Sequence, residues 1–206
     1  MKHLLPLAAA FACLVSCQST PTTPAASVAT PAPEQPSAPL AELPKDKSEY
    51  IESDMLTVNG QQVKELTTSE LKRQLGRPDS IDKGAVECGA MLASLNKMDS
   101  PAGDFWYYGK TMYEVNGNDA ILTRFDVTTG KFQGKLGQLL LNKNTTLEDV
   151  RRVFPVSAKQ ADVPNTSRPE EEMSLPFYYK GEPMDDSLIL LFKKGQLQAV
   201  EFFSPC

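Results

Sequence analysis

The chain has 206 residues, 41% of them hydrophobic and 23% charged, with a formal charge of −5 and one histidine. That length suits one compact domain or two small ones, and the acidic balance gives no footprint for nucleic acid, which needs a basic face. His3 falls in a segment expected to be removed. The mature chain then holds no imidazole, so Ser-His-Asp and Cys-His machinery lacks its base and a zinc site its usual ligand. The expectation is no catalytic set, no metal and no cofactor.

Met1-Lys2-His3 is followed by the apolar run Leu4 to Val15 and then Ser16-Cys17. A short positive start and about a dozen apolar residues suit a secretory signal and are too short to span a bilayer. Leu14-Val15-Ser16-Cys17 resembles the bacterial lipobox. The resemblance implies that residues 1–16 are removed and that Cys17 is lipidated by diacylglycerol and an acyl group. At about 0.8 kcal/mol per buried CH₂, two or three chains make a permanent anchor. Gln18 stands where an inner-membrane retention Asp would be, so the same resemblance favours the outer membrane of a bacterial envelope.

Residues 17–45 carry prolines at 21, 24, 31, 33, 36, 39 and 44. Each lacks an N–H and forces its predecessor into extended geometry, so neither helix nor sheet propagates. A disordered stalk is expected, able to hold a domain away from lipid.

From residue 46 the composition changes. Leu56 to Val63 alternates around Asn59-Gly60, the preferred dipeptide of a tight hairpin. Thr67 with Glu70 makes a capping box, Leu71 and Leu75 share a face, and Gly76 and Pro78 terminate a short helix. The signals return at Thr146, Asp149, Val150 and Phe154-Pro155. Phe105-Trp106-Tyr107-Tyr108 is echoed by Phe177-Tyr178-Tyr179. Asp119 to Phe125 is echoed by Asp186 to Phe192, with Gly130 and Gly195 as following turn glycines. This order predicts an internal duplication and an α+β fold of two tandem helix plus antiparallel-sheet units, 46–137 and 138–206. The two share a curved sheet because neither alone buries enough surface.

Thr67 to Asp79, followed by Phe105 to Tyr108, resembles the pattern of the SmpA/OmlA outer-membrane lipoproteins, a capped helix ending Leu-Gly-x-Pro before a strand with Trp-x-Tyr. A tandem version resembles the beta-lactamase-inhibitor-protein fold, which implies a concave sheet surface for protein partners. The 25 residues between Asp79 and Phe105, and Phe154-Pro155 in place of Leu-Gly, depart from the simple pattern.

Cys88 and Cys206 remain after processing. An exported chain permits a disulfide between them, which would close a loop of about 117 residues and contribute roughly 4 to 5 kcal/mol in the chain-entropy model. A redox thiol lacks a Cys-x-x-Cys and a histidine to generate thiolate. Ser94-Leu95-Asn96-Lys97 is a chance Ser-x-x-Lys without companion motifs. Gly109-Lys110-Thr111 lacks the glycine a phosphate loop needs. Asn116 to Asp119 and Asp185-Asp186 read as hairpin turns, and Glu170 to Glu172 as a solvated loop.

Strict alternation places Trp106 and Tyr108 on one face of their strand and Tyr107 on the other. Matching the halves turns Ile121, Phe125, Leu188 and Phe192 toward the helices. Tyr107, Leu122, Arg124, Tyr178, Ile189 and Leu191 then line the helix-free face, a partner-binding candidate because Tyr and Arg dominate interface hot spots. The competing expectation is that a loop, 80–104 or 156–175, folds over that face. The function expected is a non-catalytic, membrane-anchored binding protein with an assembly or inhibitor-like role. The alternatives are a carboxylate-dependent hydrolase of envelope polymers and a purely structural lipoprotein.

Overall fold

Both capping threonines start helices. Thr67 Oγ1 accepts the Glu70 amide at 3.2 Å and the Glu70 carboxylate takes the Thr67 amide at 2.8 Å; Thr146 and Asp149 repeat the arrangement at 3.2 and 2.8 Å. Gly76, at φ +84°, closes the first helix with its N–H on the Lys72 carbonyl. The hairpin at Asn59-Gly60 forms with both residues at positive φ, 50° and 79°, as a two-residue turn between right-twisted strands requires.

This computed structural model describes residues 49–86, 89–97, 99–163 and 171–206. Cys17, the signal segment and the stalk lie outside the described residues. In chain order the elements are β1 (Ile51–Glu52), β2 (Leu56–Val58), β3 (Gln61–Gln62), β4 (Leu66–Thr67), α1 (Thr68–Leu75), β5 (Ser80–Val86), β6 (Gly103–Tyr108), β7 (Thr111–Asn116), β8 (Asp119–Asp126), β9 (Gly134–Leu136), β10 (Leu139–Leu141), α2 (Leu147–Val153), β11 (Glu171–Tyr179), β12 (Glu182–Lys193) and β13 (Gln196–Phe203). Helix and sheet are mixed, with sheet dominant.

The large sheet runs β1-β11-β12-β13-β8-β7-β6-β5, with β4 joined to β8. Two antiparallel meanders, β6-β7-β8 and β11-β12-β13, meet through their last strands: Ala199, Val200 and Glu201 pair with Asp126, Phe125 and Arg124. A smaller sheet, β10-β9-β2-β3, and both helices pack on one side. Leu71 of α1, Val150 of α2 and Leu56 and Leu136 of the small sheet share a core with Phe125, Leu188, Phe192 and Val200. Gly134 lets the sheets approach, since a Cβ there would stand 2.9 Å from the Phe125 ring.

Four expectations need correction. Leu122 lies in the helix-backed core, 6% exposed, whereas Ile121 is outside that core. The cause is a bulge: Met112 pairs with Arg124 but Tyr113 with Leu122, leaving Thr123 unpaired. An extra residue reverses the alternation counted through it. Ile189 and Leu191 do face away from the helices, yet they are 7% and 3% exposed and pack with Ala199 in a cluster of their own. Burial removes them from any contact surface.

The equation of Asp119–Phe125 with Asp186–Phe192 also fails, because β8 closes its meander while β12 is the middle strand of the other. Two apolar runs look alike by composition, but the hairpin turns at Gly109 and Gly117 and at Lys180-Gly181 and Gly195 put them at different places in their meanders. Finally, Asp185-Asp186 and Glu171-Glu172 belong to strands, since the turn sits earlier, at Lys180-Gly181, and the Glu171 carboxylate accepts the Gly195 amide at 2.7 Å.

Candidate functional site

The sheet register assembles a row across the face opposite the helices. Ser80, Tyr107, Met112, Arg124, Glu201, Ile189 and Ser174 are successive cross-strand partners through β5, β6, β7, β8, β13, β12 and β11. Neighbours in such a row have side chains about 4.5 to 5.5 Å apart at Cβ. The structure therefore brings together Tyr107, Arg124 and Ile189 of the expected residues. Tyr107 and Arg124 are half-buried; Ile189 is not accessible. Tyr178 stands apart at the β1 end of the sheet, its ring 4.3 Å from that of Tyr50.

Beside this row Phe105, Glu114 and Ile121 form the next one. Glu114 is 4% exposed. Its Oε2 accepts the Met91 and Leu92 amides at 2.7 and 3.1 Å, and Leu92 is completely buried. The segment 89–97 thus lies against this face, so part of the expected loop cover is present. Burial pushes the Glu114 carboxyl above its ordinary range, and the two amides oppose the shift. Asn116 Nδ2 donates to Ser94 Oγ at 3.2 Å and adds a second tie to the segment.

Between Ala85, Val86 and Gly89 on one side and the tail 204–206 on the other lies a cavity of about 250 Å³, walled by Phe105, Met112, Phe203 and Pro205 with Glu114 and Glu201 among its polar groups. Phe203 is 45% exposed at its rim. Arg124 Nη1 lies 3.7 Å from Glu201 Oε2, and Arg124 Nε is buried with no hydrogen-bond partner among the described residues. Residues Phe105, Met112, Glu114, Glu201 and Phe203 were missed by sequence reasoning. The available signal was Glu114, a lone carboxylate inside the β-rich run Thr111 to Asn116.

Cys206 is disulfide-bonded. Cys88 lies outside the described residues, but its neighbour Gly89, at φ +67°, packs so closely on the Ser204 carbonyl that no Cβ fits. Among the described residues no group of three or more His, Cys, Asp or Glu could hold a metal ion, and no helix is long and apolar enough to cross a membrane. Compared with known protein families, curated proteins and solved structures, the chain matches none.

Proposed function

We propose that this is a lipid-anchored protein of the bacterial envelope, held at the outer membrane through Cys17, whose folded part binds a protein partner through the face opposite its helices. The observation that carries this reading is the row Tyr107, Met112, Arg124 and Glu201 beside a cavity rimmed by an exposed Phe203. Aromatic, Met and Arg side chains are the residues enriched at interfaces, and a recess gives an anchor residue somewhere to seat. The lipobox resemblance and the proline-rich stalk supply the tether. A tandem origin belongs to the same proposal: each meander follows a capping-box helix and the two meet through corresponding last strands.

The test is crosslinking and capture from envelope extracts with the full lipidated chain. Tyr107→Ala and Arg124→Glu are expected to reduce recovery of a single partner by about tenfold, as losing a hot spot does. Equal recovery by both variants overturns the surface. Recovery of one stoichiometric assembly, insensitive to both, is the outcome that favours a purely structural lipoprotein.

The carboxylate-hydrolase reading has one supporting observation, that Glu114 and Glu201 line the same cavity. Against it, one oxygen of Glu114 is spent on two backbone amides and Glu201 is tied to Arg124. The Cys88 to Cys206 bridge is proposed as the bond that Cys206 makes; non-reducing peptide mapping should recover the two peptides linked, and a Cys206 peptide linked elsewhere overturns it.

A further inference from the structure

We infer that the cavity beside Glu114 receives a lysine side chain of the protein partner, its ammonium on the free oxygen of the Glu114 carboxylate and its methylene stem between Phe105, Met112 and Phe203. The inference rests on the proposed partner-binding role and names the chemistry that the partner must present.

Size comes first. A cavity of about 250 Å³ falls below the roughly 300 to 1,000 Å³ of pockets for drug-sized ligands, and it matches one long side chain better than a whole molecule. Its walls come next. Phe105, Met112, Phe203 and Pro205 are apolar or aromatic, which suits a chain that buries methylenes while its charged head seeks a partner. Phenyl faces also attract a cation, and more strongly where water is excluded.

The polar floor selects the head group. Glu114 Oε2 is occupied by the Met91 and Leu92 amides, while no hydrogen bond to Oε1 is made among the described residues. A carboxylate with one oxygen committed cannot offer the two-oxygen fork that a guanidinium matches, but it can still accept from a point-charge ammonium. Burial of this carboxylate without a cation is costly, and a bound ammonium relieves that cost. The neighbouring cation, Arg124, is engaged by Glu201. The chain is also acidic overall, which favours encounter with a basic segment.

The experiment is an amide NMR titration of the ¹⁵N-labelled full chain in detergent micelles, with n-butylammonium chloride as probe and n-butanol as its uncharged match. Saturable shifts of the Met91 and Leu92 amides with butylammonium, at least about tenfold stronger than with butanol, are expected from one charge-assisted hydrogen bond. Glu114→Gln should weaken the response by a similar factor. Because that variant could lose the 89–97 segment, Phe203→Ala serves as a second one, expected to weaken the response without touching the carboxylate. No saturable shift, an equal response to butanol, or a response retained in both variants overturns the inference. A stronger response to n-butylguanidinium than to butylammonium also overturns it. If the probe fails to bind while partner capture still depends on Tyr107, the partner-binding surface stands and the lysine pocket falls. If the probe binds while capture ignores Tyr107 and Arg124, the pocket takes ammonium ligands and the surface reading falls.

Discussion

Arg124 of β8 and Glu201 of β13 face each other across the seam where the two meanders join, guanidinium nitrogen 3.7 Å from carboxylate oxygen. The pair is partly wet, at 34% and 18% side-chain exposure, so its coupling is that of a screened surface pair, about 0.5 to 1 kcal/mol. A double-mutant cycle with Arg124→Ala and Glu201→Ala, read by urea denaturation, should return that value and shrink in high salt. Arg124→Ala alone should cost more than the coupling, because its stem also covers the sheet.

The Glu114 carboxylate fastens segment 89–97 to the sheet. Glu114→Ala leaves two amides unpartnered in a buried setting, at a cost of about 1 to 3 kcal/mol. Hydrogen exchange at Met91 and Leu92 should accelerate well before global unfolding. Unchanged protection at both amides would mean that the segment is held by other contacts.

Stability should also register the titration of Glu114. Its folded pKa is raised above the ordinary 4.5, chiefly by burial, so between those values the folded state holds more proton than the unfolded state. Stability from this group therefore falls as pH rises through the window and is recovered as pH drops. The melting temperature of the parent minus that of Glu114→Gln should increase as pH is lowered from 7 toward 4.5. Glu70 and Asp149, whose pKa values are lowered by their bonds to Thr67 and Thr146, lose stability in acid; they do so in both proteins and cancel from the difference.

Each helix depends on its first hydroxyl. Thr67→Ala and Thr146→Ala should each destabilise by about 1 kcal/mol. The two caps share no hydrogen-bond partner, so the double variant should be additive within about 0.5 kcal/mol in chemical denaturation.

Local chemistry was legible and long-range pairing was not. Thr67, Glu70 and Gly76 mark a helix because cap, third residue and terminator lie within ten positions, and Asn59-Gly60 marks its hairpin for the same reason. Leu122 was misplaced because a bulge is a property of two strands; nothing in the run Asp119 to Phe125 announces that Thr123 will lack a partner. Ile189 and Leu191 look like surface residues by alternation, and only the third dimension reveals their burial. Glu114 was overlooked because its partners, the amides of Met91 and Leu92, have no side-chain signature. The recess beside Glu114 needed strands β6, β7, β8 and β13 and residues 204–206 to be put together before it existed.

The position of β13 carries a consequence for how the molecule is made. Residues 196–203 are inserted in the middle of the large sheet, between β12 and β8, so the Arg124 to Asp126 half of β8, which β4 does not reach, has no strand beside it until that stretch has been made. A chain still being synthesised therefore holds this half of β8 as an open strand edge, the interval in which a holding chaperone would have its opportunity.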